Sequence, residues 1–324
     1  MIPQIYLRPL GLSTGAGQAL SYSALEISRR GTDQVLGREV IPLSDLAEHL
    51  AALDGTTRRG IEAWLNRLSA RPGSFAGLDL SRPQVMGVIN VTPDSFSDGG
   101  DHLDSDRAVA QGLEMREAGA SLLDVGGEST RPGAAEVALD EELRRVIPVV
   151  EGLARAGAKV SVDTRRARVM AAAIEAGASI VNDVTALAGD PDSLDVVVQA
   201  QVPVILMHMQ GEPRTMQLAP SYADAARDIY DWLAGRIAVC EAAGLARSHI
   251  AIDPGIGFGK TLEHNLQILD HLALFHGLGC PILLGVSRKS FIGRIAGEER
   301  PKSRGPGSLA AALAGVARGV QILR

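Results

Sequence analysis

Cysteine is scarce in this sequence, and runs of basic residues are absent. Only Cys240 and Cys280 occur among 324 residues, without the spacing of metal ligands. We therefore expect two reduced thiols that pack as small apolar side chains. The formal net charge is −6 and no cluster of Lys and Arg occurs. This argues against general nucleic-acid binding, because such binding needs a positive field.

The sequence also lacks long apolar runs and the common metal and nucleophile motifs. No uninterrupted apolar run reaches the roughly 18 residues that a membrane span requires. The N-terminus, MIPQIYLRPLGLSTG, has no basic start followed by an apolar core. We therefore expect no signal peptide and predict a cytoplasmic location. No cluster of His, Cys and Glu has the spacing of a structural zinc site, and no Ser-His-Asp triad is apparent.

What the sequence does have, from residue 85 onward, is a repeated unit. A short apolar run ends in polar residues, a loop follows, and an amphipathic stretch then closes on glycine. Nearly continuous apolar runs that alternate with helices indicate a parallel sheet buried on both faces. Eight such units predict an α/β protein with a closed (β/α)8 TIM barrel rather than an open sheet. The eight runs are VMGVI (85–89), SLLDV (121–125), KVSV (159–162), SIV (179–181), VPVILM (202–207), HIAI (249–252), PILLGV (281–286) and VQIL (320–323).

Polar residues follow every one of these predicted strands. In a (β/α)8 barrel the loops after the strands converge at one end, where the chemistry takes place. Asp163, Asn182 and Asp253 end the third, fourth and sixth strands, so all three side chains can reach the barrel axis. The remaining strand-end positions are Asn90, 126–131, His208, 287–289 and Arg324. Their register with the strands predicts one functional site at the barrel mouth, with His208 as a structural or pocket-lining residue.

Residues 1–80 do not follow this plan. ALSYSALEI is a candidate strand, while SDLAEHLAALDG and RRGIEAWLNRL have the pattern of short amphipathic helices. SARPGSFAGLDLSRPQ has the composition of a connection. We therefore divide the chain into an N-terminal α+β extension of unknown role, residues 1–80, and a barrel domain, residues 81–324.

The first two loops of the barrel have the composition of ligand-binding segments. NVTPDSFSDGG (90–100) combines an amide, hydroxyls and carboxylates with Phe96, which is more than a plain strand-to-helix turn needs. In GGESTRPG (126–133), Thr130 offers a hydroxyl and Arg131 a forked cation that suits bidentate contact with phosphate oxygens. Alternatively, Arg131 pairs with the neighbouring Glu128.

Two later loops complete the set. DPGIGFGKT (253–261) ends like a nucleotide P-loop, but Pro254 stands where the first glycine is required, and Lys260 occupies the third glycine of a dinucleotide fingerprint. Its glycines therefore let a flat ligand or the chain itself pass closely, and Phe258 is either a contact for an aromatic substrate or ordinary packing. SRKS (287–290) places two adjacent cations at a strand end, as an anion or carbonyl site requires.

Together these groups match one kind of ligand. Asp163, Asn182 and Asp253 provide hydrogen-bond acceptors, which complement the N–H row of a 2-amino-4-oxo pteridine. Lys289 can bond the opposite carbonyl edge. Asn90 and Arg131 can hold a diphosphate beside this pocket, with Mg²⁺ bridging its oxygens through few protein ligands.

Seven motifs, in this order and at these spacings, resemble the dihydropteroate synthase family: NVTPDSFSDGG, GGESTRPG, SVDT, VND, MHMQG, DPGIGFGK and SRKS. The resemblance covers residues 85–324. It implies that p-aminobenzoate is joined to 6-hydroxymethyl-7,8-dihydropterin diphosphate, giving 7,8-dihydropteroate and pyrophosphate in folate biosynthesis. It also implies that the first two loops close over the ligands, and that the C–O bond to diphosphate breaks before the arylamine adds.

The resemblance assigns roles residue by residue. Asn90, Arg131, Asp163 and Lys289 are the expected catalytic residues, and Asn90 is the expected Mg²⁺ ligand. The expected substrate contacts are Thr130, Pro132, Asp163, Asn182, Met207, Asp253, Gly257, Phe258, Lys289, Ser290 and Arg324. Small-molecule substrates are the expected partners, without nucleic acid or membrane.

The sequence departs from the family after the last strand. The family continues with a His-containing turn and a final helix that contributes to a dimer, whereas this sequence stops at Arg324. We therefore expect Arg324 to be weakly held and the final barrel helix to be missing. We also expect a chain that ends there to be poorly stable and weakly active. A homodimer is expected only if that helix is present. Two alternatives stay open, a pterin barrel that transfers methyl groups from a methyl-folate to a corrinoid and a non-catalytic pterin-binding paralogue.

Overall fold

The computed structural model describes residues 4–13, 21–30, 35–69, 73–91, 101–128, 137–212 and 214–324. Within them, an eight-stranded parallel sheet forms a nearly closed barrel and a three-stranded antiparallel sheet lies in the N-terminal region. The predicted (β/α)8 barrel with an N-terminal α+β extension is therefore confirmed. Across the described ranges, no helix is long and apolar enough to span a bilayer.

All eight predicted runs form strands of the barrel. In the sheet the seventh and eighth strands precede the first, the others follow in chain order to the sixth, and a bridge between Ile252 and Ile282 joins the two ends. The seventh and eighth strands are shorter than their runs. Pro281 has no N–H to donate, and the side chain of Gln321 accepts from the backbone N–H of Ile282. The barrel strands are β4 (Gln84–Asn90), β5 (Leu122–Gly126), β6 (Val160–Asp163), β7 (Ile180–Asp183), β8 (Val204–Met207), β9 (Ile250–Asp253), β10 (Leu283–Leu284) and β11 (Ile322–Leu323).

Helices follow the strands and surround the barrel. Most of the core lies between the outer strand faces and the helices, where Val, Ile and Leu side chains are almost fully buried. The helices are α1 (Leu46–Ala52), α2 (Gly55–Ser69), α3 (Asp101–Glu117), α4 (Leu139–Arg155), α5 (Ala167–Glu175), α6 (Ser193–Ala200), α7 (Ala225–Ala242), α8 (Leu262–Asp270), α9 (Ser290–Ala296) and α10 (Gly305–Val316). Short 3₁₀ helices lie at Arg247–His249, Leu272–Leu278 and Pro301–Arg304.

A second apolar cluster fills the barrel interior near the strand starts. Seven strands each contribute one residue to it, and Phe75, Leu78 and Leu80 from the segment before β4 complete it. The sequence predicted only a connection here. Instead, this segment closes the end of the barrel away from the strand termini, so the interior is a packed core and the open end is left for ligands.

The N-terminal extension contains β1 (Gln4–Leu10), β2 (Ala24–Arg30) and β3 (Val35–Pro42), followed by α1 and α2. The sequence predicted β2 and both helices but missed β1 and β3. The extension packs against the 3₁₀ helix at Leu272–Leu278, and Tyr6 of β1 contacts Ala226 and Asp231 of α7. At this contact the Arg227 side chain of α7 is buried and donates to Ser28 Oγ and to Asp224.

Candidate active site

A cavity of about 2110 Å³ opens where the barrel strands end. It lies between the ends of the strands and the loops that follow β8, β9 and β10. This cavity is lined by seven of the site residues that the sequence predicted, namely Asn90, Asp163, Gly257, Phe258, Lys289, Ser290 and Arg324. The structure therefore brings together side chains that are separated by more than 200 positions along the chain.

Arg324 is held between two carboxylates beside this cavity. Its Nε donates to Asp124 Oδ2 and its Nη2 donates to Asp163 Oδ2, both at 2.6 Å. The expectation that Arg324 is weakly held is therefore wrong, because two ion pairs with largely buried partners fix the guanidinium. These carboxylates raise the pKa of Arg324 above its usual value, although burial opposes that shift.

Asn182 belongs to the same network. Its Nδ2 donates to Asp124 Oδ2 at 2.9 Å, so the carboxylate of Asp124 joins Asn182 to Arg324. Asp163 and Asn182 are neighbours in the register of β6 and β7. Burial raises the pKa of Asp163 to about 7, and the adjacent charge of Arg324 opposes that shift.

Asp253 and Lys289 form the second charged part of the site. Asp253 ends β9, is buried, and accepts from the backbone N–H of Gly255 at 2.7 Å. Burial raises the pKa of Asp253, and the cations of Lys289, Arg324 and Lys260 oppose that shift. Burial lowers the pKa of Lys289 to about 8, and Asp253 opposes that shift. The Lys289 ammonium lies over the ring of Phe258, 4.8 Å from its centroid.

The loop after β9 passes in contact with the loop after β8. Gly255 has φ +70, and a Cβ built there would lie 1.9 Å from the carbonyl oxygen of His208. Gly259, with φ +61, would place a Cβ 2.4 Å from the carbonyl oxygen of Gln210. Only glycine fits both the left-handed backbone and the close approach. Of the two interpretations offered by the sequence, passage of the chain itself therefore explains these two glycines.

Met207 and His208, at the end of β8, are both buried. Met207 is the register partner of Asp253 in β8 and β9. His208 Nδ1 lies 3.0 Å from the Lys260 ammonium, and the ring packs edge-on against Trp232. Burial and the charge of Lys260 lower the pKa of His208 to about 2, so this imidazole stays neutral.

Thr130, Arg131 and Pro132, together with residues 92–100, lie outside the described residues. Glu128, the alternative partner of Arg131, makes ion pairs with Arg165 and Arg166. The predictions for these loops therefore stay predictions.

Asn90 is the sole predicted metal ligand within the described residues. It is exposed at the end of β4 and borders the cavity. Within the described ranges, no group of three His, Cys, Asp or Glu side chains could hold a metal ion. A single amide oxygen fits an Mg²⁺ ion that takes most of its ligands from diphosphate and water, and does not fit a metal held by the protein alone.

Two residues of the site were missed from the sequence. Asp124 lies inside the apolar run SLLDV, two residues before the strand ends, where an acidic residue is itself an unusual signal. Lys260 was considered only as a mismatch to nucleotide-binding motifs. Both side chains are buried, and both contact strand-end groups.

Comparison with known proteins agrees with this geometry. The family model described as pterin binding enzyme matches residues 86–324. Dihydropteroate synthase of Escherichia coli K12 is 49% identical over 248 residues, covering 76% of this chain and 87% of that protein. The enzyme of Haemophilus influenzae is 46% identical over 248 residues, covering 76% and 90%.

Solved structures agree as well. Dihydropteroate synthase of Xanthomonas albilineans, solved with 4-aminobenzoic acid, has a TM-score of 0.72 and 51% identity, covering 77% of this chain and 90% of that chain. The Yersinia pestis enzyme, solved with a sulfonamide drug complex, has a TM-score of 0.72 and 49% identity, covering 76% and 90%. The chain belongs to the dihydropteroate synthase family of pterin-binding enzymes.

Proposed function

We propose that this protein joins p-aminobenzoate to 6-hydroxymethyl-7,8-dihydropterin diphosphate, forming 7,8-dihydropteroate and releasing pyrophosphate. The observation that carries the proposal is the shared cavity. It gathers Asp163, Lys289 and Arg324 from three separate strand ends, with Asn182 and Asp253 joined to them through hydrogen bonds and charge. The X. albilineans enzyme solved with 7,8-dihydropteroate, at 48% identity, supports the same reaction.

The pterin ring binds to the acceptors at the barrel axis. Asp163, Asn182 and Asp253 accept from the N–H groups of the 2-amino-4-oxo edge, and Lys289 donates to a ring carbonyl or nitrogen. Buried carboxylates favour positive charge that develops on the ring, because the low local dielectric strengthens their interaction with it.

The reaction breaks one bond before it forms the next. The C–O bond to the diphosphate breaks and its electron pair leaves with pyrophosphate, which produces a pterin-methyl cation. The lone pair of the p-aminobenzoate nitrogen then forms the C–N bond, and one proton leaves that nitrogen. An arylamine is neutral at pH 7, so this step needs little help from a general base.

The cations of the site stabilise the leaving group. Arg131 and Arg324 contact diphosphate oxygens, and Asn90 would hold an Mg²⁺ ion on the same oxygens. Bound there, Mg²⁺ would add positive charge to the leaving diphosphate. The protein's own contribution is to orient the diphosphate and to exclude water that would otherwise capture the cation.

The second substrate binds beside Phe258. The aromatic ring of p-aminobenzoate packs against this side chain and Pro132, and Thr130 and Ser290 contact its polar groups. Phe258 is held by the cation of Lys289, so the pterin and aminobenzoate pockets share a wall.

One assay tests the proposal. The purified protein, incubated with the pterin diphosphate, p-aminobenzoate and Mg²⁺, is expected to yield dihydropteroate, identified by mass, together with an equal amount of pyrophosphate. Asp253→Ala is expected to weaken pterin capture severely. Absence of product from a folded protein, or unchanged pterin affinity in Asp253→Ala, would contradict the proposal.

Several finer assignments remain predictions beside it. These are the boundary between residues 1–80 and 81–324, the cytoplasmic location, the homodimer, and the roles of individual site residues. The methyl-transfer and non-catalytic alternatives have less support, since the relatives named above are all dihydropteroate synthases.

A further inference from the structure

Four consecutive carbonyl oxygens after β9 each accept a hydrogen bond from a different side chain. This loop carries Gly257 and Phe258 at the cavity wall. Loop carbonyls at such a position would ordinarily be left to water. Here the backbone is fixed on every residue. The pairs are Ile256 O with Lys289 Nζ, Gly257 O with Gln217 Nε2 at 2.6 Å, Phe258 O with Lys260 Nζ at 2.8 Å, and Gly259 O with Tyr222 Oη at 2.8 Å.

Lys260 differs from the other three donors because it ties two loops together. Its ammonium lies 2.8 Å from Phe258 O, 3.3 Å from His208 O and 3.0 Å from His208 Nδ1. An ammonium has three N–H donors, and three acceptors from the loops after β8 and β9 meet them. When Lys260 is protonated, His208 Nδ1 acts as the acceptor and the ring proton of this neutral imidazole lies on Nε2. The side chain is 3% exposed, so water does not compete for these contacts.

Lys260 also lies close enough to Asp253 for the two charges to interact. A Cβ built on Gly255 would lie 3.3 Å from Lys260 Nζ, and the N–H of Gly255 donates to Asp253 Oδ1. Burial lowers the pKa of Lys260 well below its usual value, and the carboxylate of Asp253 opposes that shift. In its protonated form Lys260 adds a second lysine charge beside Asp253, besides that of Lys289. Because the surroundings are buried, this charge acts on the carboxylate with little screening.

We propose that Lys260 is a positioning residue for the condensation reaction. It fixes Phe258 at the second-substrate pocket and keeps Asp253 in the carboxylate form that captures the pterin. The inference rests on the proposed function. Lys260 borders the cavity, but its hydrogen-bond partners are His208 and Phe258, so its effect on the substrates passes through Phe258 and Asp253.

Charged and titratable side chains surround both Lys260 and Asp253. Asp253 is faced by Lys289, Arg324 and Lys260. Lys260 is faced by Asp253 and Lys289, by the ring of Tyr222, and by the two imidazoles of His208 and His264. Removing the charge of Lys260 leaves Lys289 and Arg324 as the cations beside Asp253. The carboxylate is then expected to bind a proton at higher pH, which weakens pterin capture in acid.

Three variants separate charge from loop placement. Lys260→Gln keeps N–H donors but removes the charge, and Lys260→Met removes both. Tyr222→Phe is the matched control, because it deletes the hydrogen bond to the next carbonyl of the same loop without changing any charge near Asp253. For each variant, kcat and KM for both substrates are measured from pH 5 to pH 9, together with Tm. The pH-dependent Kd for 6-hydroxymethylpterin, measured by calorimetry, provides a readout that does not need turnover.

The expected results differ among the three. In Lys260→Gln the acid limb of kcat/KM for the pterin diphosphate moves to higher pH by about one unit, as for loss of one nearby opposite charge. Lys260→Met shows the same shift and, in addition, a KM for p-aminobenzoate raised about tenfold, because Phe258 loses its anchor. Tyr222→Phe lowers Tm but leaves the pH profile unchanged.

Two outcomes overturn the inference. If the pH profiles and both KM values of the Lys260 variants match the wild type, with only Tm reduced, Lys260 is merely structural. If Tyr222→Phe shifts the profile equally, loop loosening rather than charge is the cause. Should Lys260→Met fail to fold, Lys260→Gln decides the question alone. A wild-type protein without turnover would instead overturn the proposed function itself.

Discussion

The guanidinium of Arg324 donates a 2.6 Å hydrogen bond to the carboxylate of Asp163, so the carboxylate proposed to bind the pterin has a cationic partner within the protein. The same arginine is paired with Asp124. A pterin that bonds to Asp163 must share this carboxylate with Arg324 or release the arginine toward the diphosphate. Substrate binding and the charge state of this pair are therefore linked.

The first prediction concerns pH. Asp163 has a pKa raised to about 7, so it becomes the required carboxylate only as pH rises through that value. Lys289 has a pKa lowered to about 8, so it loses its required proton as pH rises further. We expect kcat/KM for the pterin diphosphate to follow a narrow bell with limbs near these two values, since kcat/KM reports groups of the free enzyme.

The limbs can be assigned by substitution. Lys289→Met should remove the alkaline limb and leave the acid limb, to which Asp163 and Asp253 both contribute because burial raises the pKa of each. A wild-type profile that is flat from pH 6 to pH 9 would contradict these pKa directions.

The second prediction concerns Asp124, which the sequence did not reveal. Asp124→Asn removes the charge that holds Arg324 and weakens the acceptor of Asn182, so kcat/KM for the pterin diphosphate should fall at least tenfold, or about 1.4 kcal/mol. If Asp124 acts through Arg324, the loss should be smaller in an Arg324→Met background. A double-mutant cycle measures this, and strictly additive losses would show that the two residues act separately.

The third prediction concerns the cation that links the two pockets. Lys289→Met loses the contact with Phe258 and the bond to Ile256 O, as well as any bond to the substrate. We expect kcat/KM to fall by about 10²–10³, the usual effect of removing one preorganised donor. Lys302 borders the same cavity but is exposed, so Lys302→Met is the control and should stay within about twofold of the wild type. Equal losses in both variants would mean that general charge, and not the position of Lys289, matters.

The fourth prediction tests the packing of the N-terminal extension on the barrel. A Cβ built on Gly277 would lie 1.6 Å from Nε1 of Trp64, whose side chain is buried in the extension. Gly277→Ala should therefore lower the free energy of unfolding by about 1–3 kcal/mol through overpacking. The measurement is denaturant unfolding followed by tryptophan fluorescence.

Gly235 provides the matched control for this substitution. It lies exposed within α7, and a Cβ there would meet no atom within 4 Å. Gly235→Ala should raise the free energy of unfolding by about 0.5–1 kcal/mol, because alanine is the better helix former. Equal effects of the two substitutions would show that the extension does not press on Gly277.

Local pattern determined much of this protein. The spacing of apolar runs predicted all eight barrel strands, and the polar residues at their ends predicted which side chains gather at the mouth. This works because a parallel barrel strand is mostly apolar, so the polar residues at its end stand out, and because all eight ends lie on one rim.

Tertiary structure decided the rest. Asp124 bonds to a residue 200 positions away, Lys260 to one 52 positions away, and Arg227 to Ser28, 199 positions away. The two missed N-terminal strands, and the segment that closes the barrel floor, also acquire their places only through distant partners. The sequence determines periodicity within one element. A buried charge, however, is stable only beside a group that neutralises it, and only the folded chain brings that group near.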